Sequence, residues 1–245
     1  MNETIRLINS RRSVRVYEDR DILPEEKQAI LNAALQAPTA GNMTLYTILD
    51  ITDQGIKDRL SVTCDNQPFI SEAKMVLIFC ADYKRWLDVF NANYENVRKP
   101  GTGDLFLAQA DALIAAQNAV IAAESFGIGS CYIGDITENY EIHKELLNLP
   151  EYVVPAAMLC FGYPTEQQKN RNKPERIDVE YVVHENGYDS GRISDQENVF
   201  KAQSRGLKGE DFSDWVKRFC ERKWNSDFSV EMSRSCEKMI KDWCK

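Results

Sequence analysis

The stretch at residues 104–126 constrains the fold of this chain more than any other part of its sequence. It is rich in alanine and, drawn as a helix, apolar around nearly its whole circumference. It starts with Asp104 and is followed by Gly127, residue types that favour the start and the end of a helix. A helix that is apolar on all sides has to be buried, so we predict that it lies in the core or in a subunit interface.

The same stretch is a poor candidate for a membrane span. Its most apolar part, residues 112–123, is interrupted by Gln117 and Asn118, and it is shorter than the roughly 20 apolar residues that cross a bilayer. The N-terminus has no basic region followed by an apolar run, so it does not resemble a signal peptide. We expect a soluble cytoplasmic protein with no membrane association.

The rest of the chain predicts strands and helices in mixed order. Residues 75–81 and 153–161 are continuous apolar runs of strand length, as expected for strands covered on both faces. A third strand is predicted at 45–51. Helices are predicted at residues 3–10, 24–35, 55–62 and 138–147, and again from residue 212 onward. The sum is an α+β fold, a central mixed or antiparallel sheet surrounded by helices, with a C-terminal helical extension.

Two segments are less regular. Residues 83–103 mix aromatic and charged side chains, and we expect a mobile helix and a loop there. Residues 179–184 favour a strand or an extended arm. We expect a main domain at residues 1–200 and a helical extension at 201–245 that packs on the same domain.

Charge and cysteine content exclude several classes of function. The chain has 245 residues with 38 Asp and Glu against 30 Lys and Arg, a net charge of −8. Nucleic-acid binding requires a basic surface, so it is disfavoured. Seven scattered cysteines without a Cys-x-x-Cys pair, and only two histidines, argue against a metal site or a disulfide framework. Cys80 and Cys160 lie inside apolar runs and are expected in the core.

Against this acidic background stands a basic cluster at residues 11–15, with three arginines and a serine. Such a cluster is either a solvated surface or an anion site, since the planar guanidinium group suits bidentate binding of phosphate. Lys169 and Arg171 form a second basic pair far along the chain. If the two clusters converge, they could hold one terminal phosphate.

Other segments could complete a site around that phosphate. Residues 127–134 contain three glycines, which lets a backbone pass close to something flat or large. Gln67 and Asn42 carry amides that can bind the polar edge of a heterocycle. These features describe a nucleotide or a flavin. The chain has no Gly-x-Gly-x-x-Gly motif, no Walker loop and no persuasive nucleophile, so a redox cofactor would supply the chemistry.

These segments resemble the nitroreductase family of FMN-dependent oxidoreductases, in particular its oxygen-insensitive NADPH nitroreductases and NAD(P)H:flavin oxidoreductases. They occur in the family's order and cover nearly the whole chain, with a looser match from residue 212 onward. The matching segments are RRSVRVY at 11–17, APTAGNM at 37–43, Gln67 ahead of FCAD at 79–82, DALIAAQNA at 111–119, GIGSCYIG at 127–134, FGYP at 161–164, Lys169 with Arg171, and HENGY at 184–188.

The resemblance implies an FMN-bound homodimer with its active sites at the subunit interface. The hydrophobic helix would then be a core and dimer helix. The residues implied in cofactor binding are Arg11, Arg12, Ser13 and Arg15 with Lys169 and Arg171 at the phosphate and ribityl chain, Gln67 at the ring edge, Tyr132, Ile133 and Gly134 along the ring, and Pro38, Thr39, Ala40 and Asn42 from the partner chain. A nicotinamide phosphate could be held by Arg205 and Lys208, although a solvated loop is the simpler interpretation of residues 200–209.

The implied activity is reduction of nitroaromatics, quinones or related small-molecule acceptors by NAD(P)H. The mechanism would be ping-pong with hydride transfer through flavin N5, so no side chain is assigned as catalytic. Reduction of free flavin, or a specialised reduction such as dehalogenation, is an alternative on the same fold. A flavin-binding module or sensor with little turnover is an alternative of another class. The sequence leaves open the physiological acceptor, the choice of NADH or NADPH, and whether Cys131 is more than a small core residue.

Overall fold

The structure is a computed structural model that describes residues 2–245. The strands are β1 (Tyr46–Asp50), β2 (Met75–Asp82), β3 (Gly129–Ile133) and β4 (Val153–Gly162). The helices are α1 (Glu3–Ser10), α2 (Pro24–Leu35), α3 (Gln54–Thr63), α4 (Phe69–Glu72), α5 (Lys84–Asn93), α6 (Thr102–Ser125), α7 (Tyr140–Leu146), α8 (Glu166–Lys169), α9 (Gln196–Val199), α10 (Lys201–Ser204), α11 (Gly209–Lys223) and α12 (Asp227–Trp243).

The strands form one antiparallel sheet in the order β1-β2-β4-β3. All eight residues of β2 are buried, which confirms the prediction from its continuous apolar run. The α+β fold is also confirmed, with a sheet that is antiparallel throughout. The edge strand β3 was not predicted, because the glycines on either side of Tyr132 and Ile133 weaken the sequence pattern of a strand.

Helices cover both faces of this sheet. On one face, the alanines of α6 and residues of α2 pack against Leu77, Phe79, Leu159 and Phe161. On the other face, Leu60 of α3 and Ile70 of α4 pack against the alternate side chains of the same strands. Cys80 and Cys160 belong to this second core, as predicted from their apolar surroundings.

Helix α6 is the central helix of the fold, but this chain alone buries only part of its circumference. It has the length and composition of a membrane span, which core helices of soluble proteins also have, and 44% of its apolar window is buried here. Its opposite side carries exposed apolar side chains, among them Phe106 at 65% exposure and Leu113 at 44%. The predicted burial of α6 therefore requires a second surface that covers its exposed apolar side.

The ends of the predicted helices follow from local hydrogen bonds. Asp104 caps α6 by accepting from the backbone N–H of Gly101 at 2.8 Å, and it also binds Arg98 at 2.8 Å. Pro24 is the first residue of α2, and Glu26 accepts from the N–H of Leu23 at 2.9 Å. These are the residue types that favour a helix start.

The chain divides into two compact units. One contains the residues up to Arg171 together with Glu231–Lys245, and the other is Asn172–Val230. The expected division at residue 200 stays a prediction; residue 200 lies in the second unit, and the part of α12 from Glu231 onward belongs to the first. Of the strand or extended arm expected at 179–184, the strand is not formed: Val179–Tyr181 forms a 3₁₀ turn closed by local backbone hydrogen bonds, and this segment has no strand partner among the described residues. The helix predicted within residues 83–103 is present as α5.

Candidate functional site

The arginine segment lies across the ends of β3 and β4. The N–H of Val14 donates to the carbonyl of Ser130 at 2.9 Å, and that of Glu18 donates to the carbonyl of Tyr163 at 2.8 Å. Val14 is buried, so its side chain fixes the segment while its neighbours stay accessible. The sequence around residues 11–17 is therefore held in an extended form by the sheet.

Two glycines make this close approach possible. A Cβ atom at Gly129 would lie 2.4 Å from Cγ2 of Val14, and one at Gly162 would lie 2.5 Å from Cδ1 of Tyr17. Any side chain at either position would push the arginine segment away from the sheet. Of the glycines at residues 127–134, Gly129 is thus required for the packing of residues 11–17.

The second basic cluster converges with the first. Nη1 of Arg12 donates to the backbone carbonyl of Lys169 at 2.7 Å and also to that of Arg171. The N–H of Arg15 donates to Oε1 of Gln168 at 3.3 Å. Segments 157 residues apart are therefore joined, which is the condition that the sequence analysis set for a shared phosphate site. In this arrangement the Arg12 guanidinium positions residues 169–171.

The cations of the cluster differ in their partners. The Lys169 ammonium group pairs with Glu18 at 3.0 Å and with Glu166 at 2.7 Å, so its charge is already balanced. The guanidinium groups of Arg11, Arg15 and Arg171 form no ion pair with a carboxylate among residues 2–245. Positive charge without a protein partner is what an anion site requires.

Strand β3 leads from this cluster to open space. Ser130 is fully buried, and its Oγ has no hydrogen-bond partner among the described residues. Tyr132 is 36% exposed, and burial of the phenol raises its pKa to about 12, against the opposing charge of Arg11. A Cβ atom at Gly134 would meet no atom within 4 Å. The C-terminal end of β3, opposite the end that the arginine segment contacts, therefore offers an uncovered backbone at Gly134, while Ile133 is buried.

Cys131 lies in the same strand as a buried thiol. It faces Cys160 directly across the sheet, and burial raises its pKa while Arg15 and a hydrogen bond with Ser13 lower it. A buried thiol with a raised pKa is not a reactive nucleophile. The geometry therefore agrees with its interpretation as a small core residue.

Gln67 adjoins the end of β3. Its Nε2 donates to Oδ2 of Asp135 and to the carbonyl of Cys64, both at 2.8 Å. Two residues further on, the ring of Phe69 lies 5.7 Å from the guanidinium carbon of Arg15. The amide, the strand end and the arginine segment thus form one continuous surface.

The segment containing Pro38, Thr39, Ala40 and Asn42 is organised by a residue that sequence reasoning missed. Asp111 is buried on α6 and accepts from the Thr39 hydroxyl, from the N–H of Ala40 at 3.1 Å and from the N–H of Leu45 at 3.3 Å. An acid in the middle of an apolar helix was the signal that could have revealed it. Within residues 2–245 no hydrogen bond or ion pair joins this segment to the arginines.

Arg205 and Lys208 belong to the second unit. Arg205 lines a groove of about 1320 Å³ together with four other basic side chains. These are Lys173, Arg176, Lys201 and Arg222. Trp215 and Phe219 line the same groove, whereas Lys208 does not. The structure thus places one of the two residues predicted for a nicotinamide phosphate in a basic groove with aromatic walls.

An antiparallel sheet between helix layers, with arginines gathered at the end of an edge strand, is the architecture of a nitroreductase-like α+β protein. A family model described as the nitroreductase family matches residues 8–163, and the chain belongs to that family. Its members are typically dimeric, act on small molecules and are soluble.

Individual relatives agree with this assignment. The chain is 31% identical over 238 residues to a protein of Bacillus subtilis named FMN reductase (NADPH), covering 91% of this chain and 93% of the relative. It is 34% identical over 188 residues to an oxygen-insensitive NADPH nitroreductase of Salmonella typhimurium, covering 77% and 75%. The solved structure of an NADPH:FMN oxidoreductase from Vibrio harveyi complexed with NAD+ superposes with a TM-score of 0.73 at 26% identity, covering 98% of each chain.

Proposed function

We propose that this protein is an FMN-dependent NAD(P)H oxidoreductase that reduces nitroaromatics, quinones or related acceptors. The observation that carries the proposal is the convergence of carboxylate-free arginines at the end of β3, in a chain of the nitroreductase family. The names of the relatives, which include NADPH nitroreductase and FMN reductase, support FMN as the cofactor and NAD(P)H as the donor.

The residues present fit FMN on three structural grounds. Arg11 and Arg15 supply positive charge without a carboxylate partner among the described residues. Gly134 leaves open space beside an exposed backbone. Ser130 contributes a buried hydroxyl that lacks a partner among the described residues.

The individual roles follow from the contacts. Arg11 and Arg15 would hold the phosphate, and Arg171 is available to join them. Arg12 holds residues 169–171 in place through their carbonyl groups. Lys169, already paired with two carboxylates, would contribute mainly to the position of Glu18 and Glu166.

Bound FMN would supply hydride transfer between NAD(P)H and the acceptor in a ping-pong sequence. The protein would contribute binding, orientation and electrostatics, and no side chain acts as catalytic acid or base. The arginines raise the local positive potential, which favours a cofactor that gains negative charge. Gln67 would bind the polar edge of the ring, and the backbone of Tyr132, Ile133 and Gly134 would line it.

The proposal includes a homodimer in the cytoplasm. Exposed apolar side chains recur along one side of α6 at the spacing of a helical stripe. They are Phe106 (65% exposed), Leu107 (43%), Leu113 (44%) and Ile114 (41%). A second copy would cover this stripe and bring in Pro38, Thr39, Ala40 and Asn42, which explains why no contact within one chain joins them to the arginines.

The nicotinamide phosphate is assigned to the second unit. Arg205, with Lys201 and Arg222 in the same groove, would bind it, and Lys208 would act at the rim. Five basic residues against Glu175 and Asp178 give the groove a positive balance. This assignment favours NADPH over NADH as the donor.

The cofactor assignment is tested by purifying the protein and measuring bound FMN by absorbance after denaturation. We expect yellow protein or tight reconstitution. Arg11→Ala and Arg15→Ala should each weaken FMN binding about ten- to hundredfold, because each removes a charge-assisted hydrogen bond to phosphate. Arg59→Ala, at an exposed position of α3, is the matched control and should leave FMN affinity unchanged. A colourless protein that cannot be reconstituted contradicts the proposal.

A second candidate function is reduction of free flavin, which the name of the Bacillus subtilis relative favours. Steady-state rates with free FMN, a quinone and a nitroaromatic separate the two, since a flavin reductase prefers free FMN. Rapid NAD(P)H oxidation with any of these acceptors excludes a flavin-binding module with little turnover.

A further inference from the structure

The amide of Gln67 has a fixed orientation. Both hydrogens of its Nε2 are used, one by the carbonyl of Cys64 and one by Oδ2 of Asp135. Both partners are acceptors, so a flipped amide would place its oxygen against two oxygens. The amide oxygen therefore points away from them, and it accepts no hydrogen bond from the residues that the structure describes.

The carboxylate that fixes this amide has a buried acidic neighbour. Asp135 directly follows the uncovered Gly134 in the 3₁₀ turn Gly134–Thr137. Glu138 ends that turn with 4% exposure, and its side chain forms a hydrogen bond with Asp135. Its Oε1 has no hydrogen-bond partner among the described residues.

Among residues 2–245, no cation forms an ion pair with Glu138. The charged groups with the largest effect on it are Asp135, Asp65 from the loop after α3, and Glu231 from α12, all acidic. Arg234 of α12 is bound to Glu231 and Glu141.

The neutral titratable groups beside it do not change this balance. His143 of α7 is fully buried, its pKa is lowered by burial, and its ring nitrogens bond the carbonyl of Ile136 at 2.9 Å and the hydroxyl of Thr63 at 2.8 Å. The thiol of Cys64 is also buried, with a raised pKa. Burial first, and then the charge of Asp135, raise the pKa of Glu138 to about 8. Both effects favour the protonated form of the Glu138 carboxyl beside the Asp135 carboxylate.

We propose that Asp135 and Glu138 share one proton and so lock the Gln67 amide with its oxygen towards the cofactor, where it selects a ring edge that carries an N–H donor. The inference rests on the proposed function. The polar edge of an oxidised flavin has one such donor, N3–H, between two carbonyl groups. Asp135 and Glu138 are positioning residues in this arrangement, because they act on the flavin through Gln67.

Loss of the shared proton removes the constraint on the orientation of the Gln67 amide. The ionised Glu138 carboxylate, which is buried, repels the adjacent Asp135 carboxylate, so Asp135 moves and Gln67 loses an anchor. The sign for stability follows from the raised pKa: the folded state holds a proton that the unfolded chain releases near its ordinary value. The contribution of Glu138 to stability is present at low pH and is lost as pH rises towards about 8.

The test uses the full-length protein without FMN and then with it. In the apo protein, the side-chain NH₂ resonances of Gln67, assigned with Gln67→Met, should shift with pH with a midpoint near that of Glu138. With FMN, the dissociation constant should rise about three- to tenfold between pH 7 and 9, the equivalent of one lost hydrogen bond. Glu138→Gln keeps a donor to Asp135 and cannot ionise, so both titrations should disappear.

Glu145→Gln is the matched control, an exposed glutamate on α7, and it should titrate as the wild type does. A 3-methyl-FMN probe should bind the wild type more weakly than FMN and bind Gln67→Met without that difference. Gln67 resonances that do not titrate in the wild type, or that titrate equally in Glu138→Gln, overturn the inference. If Glu138→Gln does not fold, the wild-type titration and the Gln67→Met comparison still decide it. If FMN does not bind at any pH, the proposed function fails, and the apo titration judges the carboxyl pair separately.

Discussion

At the residue scale, the buried acid Asp111 fixes the backbone of the segment at residues 39–45. Asp111 is the charged residue on the buried side of α6, and it collects a hydroxyl and two backbone N–H groups from the segment at residues 39–45. Buried charge is costly unless it is fully hydrogen-bonded. The donors therefore stabilise the carboxylate, and the carboxylate fixes the irregular segment.

Asp111→Ala should lower the free energy of unfolding by about 2–4 kcal/mol, because it leaves one buried and two part-buried donors without their acceptor. Urea unfolding followed by circular dichroism measures this loss. Asp88→Ala, which removes only an exposed pair with Lys84, should change it by less than about 0.5 kcal/mol. Equal losses in the two variants would show that the Asp111 network is not a stability determinant.

At the scale of elements, the site depends on how closely the arginine segment approaches β3. The strand contributes a glycine where Val14 packs, and the segment contributes backbone donors in return. Local propensity does not favour this contact, since a glycine weakens a strand. The contact between Val14 and Gly129 brings the arginines to the first residues of β3.

Gly129→Ala should therefore destabilise the protein by about 1–3 kcal/mol through overpacking and weaken FMN binding along with it. The added methyl would meet the side chain of Val14 at 2.4 Å. Adding Val14→Ala should restore part of both losses, and a double-mutant cycle measures that coupling. Gly103→Ala, where a Cβ would have nothing within 4 Å, is the control and should be neutral or stabilising. Additive effects of the two substitutions would refute the steric account.

At the scale of the whole molecule, α6 connects the core with the proposed second subunit. Its alanines lie in the core, while Phe106, Leu107, Leu113 and Ile114 are exposed on the other side. Clustered apolar surface of this kind marks an interaction site. The segment held by Asp111 would be delivered to the partner's cofactor through the same interface.

Leu113→Glu should shift the protein from dimer to monomer, with at least about a hundredfold rise in the dimer dissociation constant, because it buries an unpaired charge in the interface. Sedimentation velocity measures this shift. FMN content should fall in parallel, since the site would lose its partner residues. Val62→Glu, at an exposed apolar position of α3 (60% exposed), is the control for added charge. A Leu113→Glu protein that remains dimeric would place the interface elsewhere.

The strongest local sequence patterns were sufficient to predict much of the fold. The apolar runs predicted β2 and β4, the alanine-rich stretch predicted α6, and proline and acidic residues predicted the start of α2. The segments of the candidate site were also visible in the sequence. These features follow from hydrophobic periodicity and capping, which act over a few residues.

Other features depended on contacts between distant residues. The strand β3 became evident only through its pairing with β4, and the 3₁₀ turn at Val179–Tyr181 replaced an expected strand that lacks a pairing partner among the described residues. The roles of Asp111 and of the pair Asp135 and Glu138 could not be predicted, since burial and hydrogen-bond partners set them. The sequence by itself determined the layers of the fold and pointed to the basic residues proposed for a phosphate site, because apolar runs and charge clusters are local features of a sequence. Only the tertiary structure decided which arginines remain without a carboxylate partner and which way the Gln67 amide points, because both depend on neighbours far away along the chain.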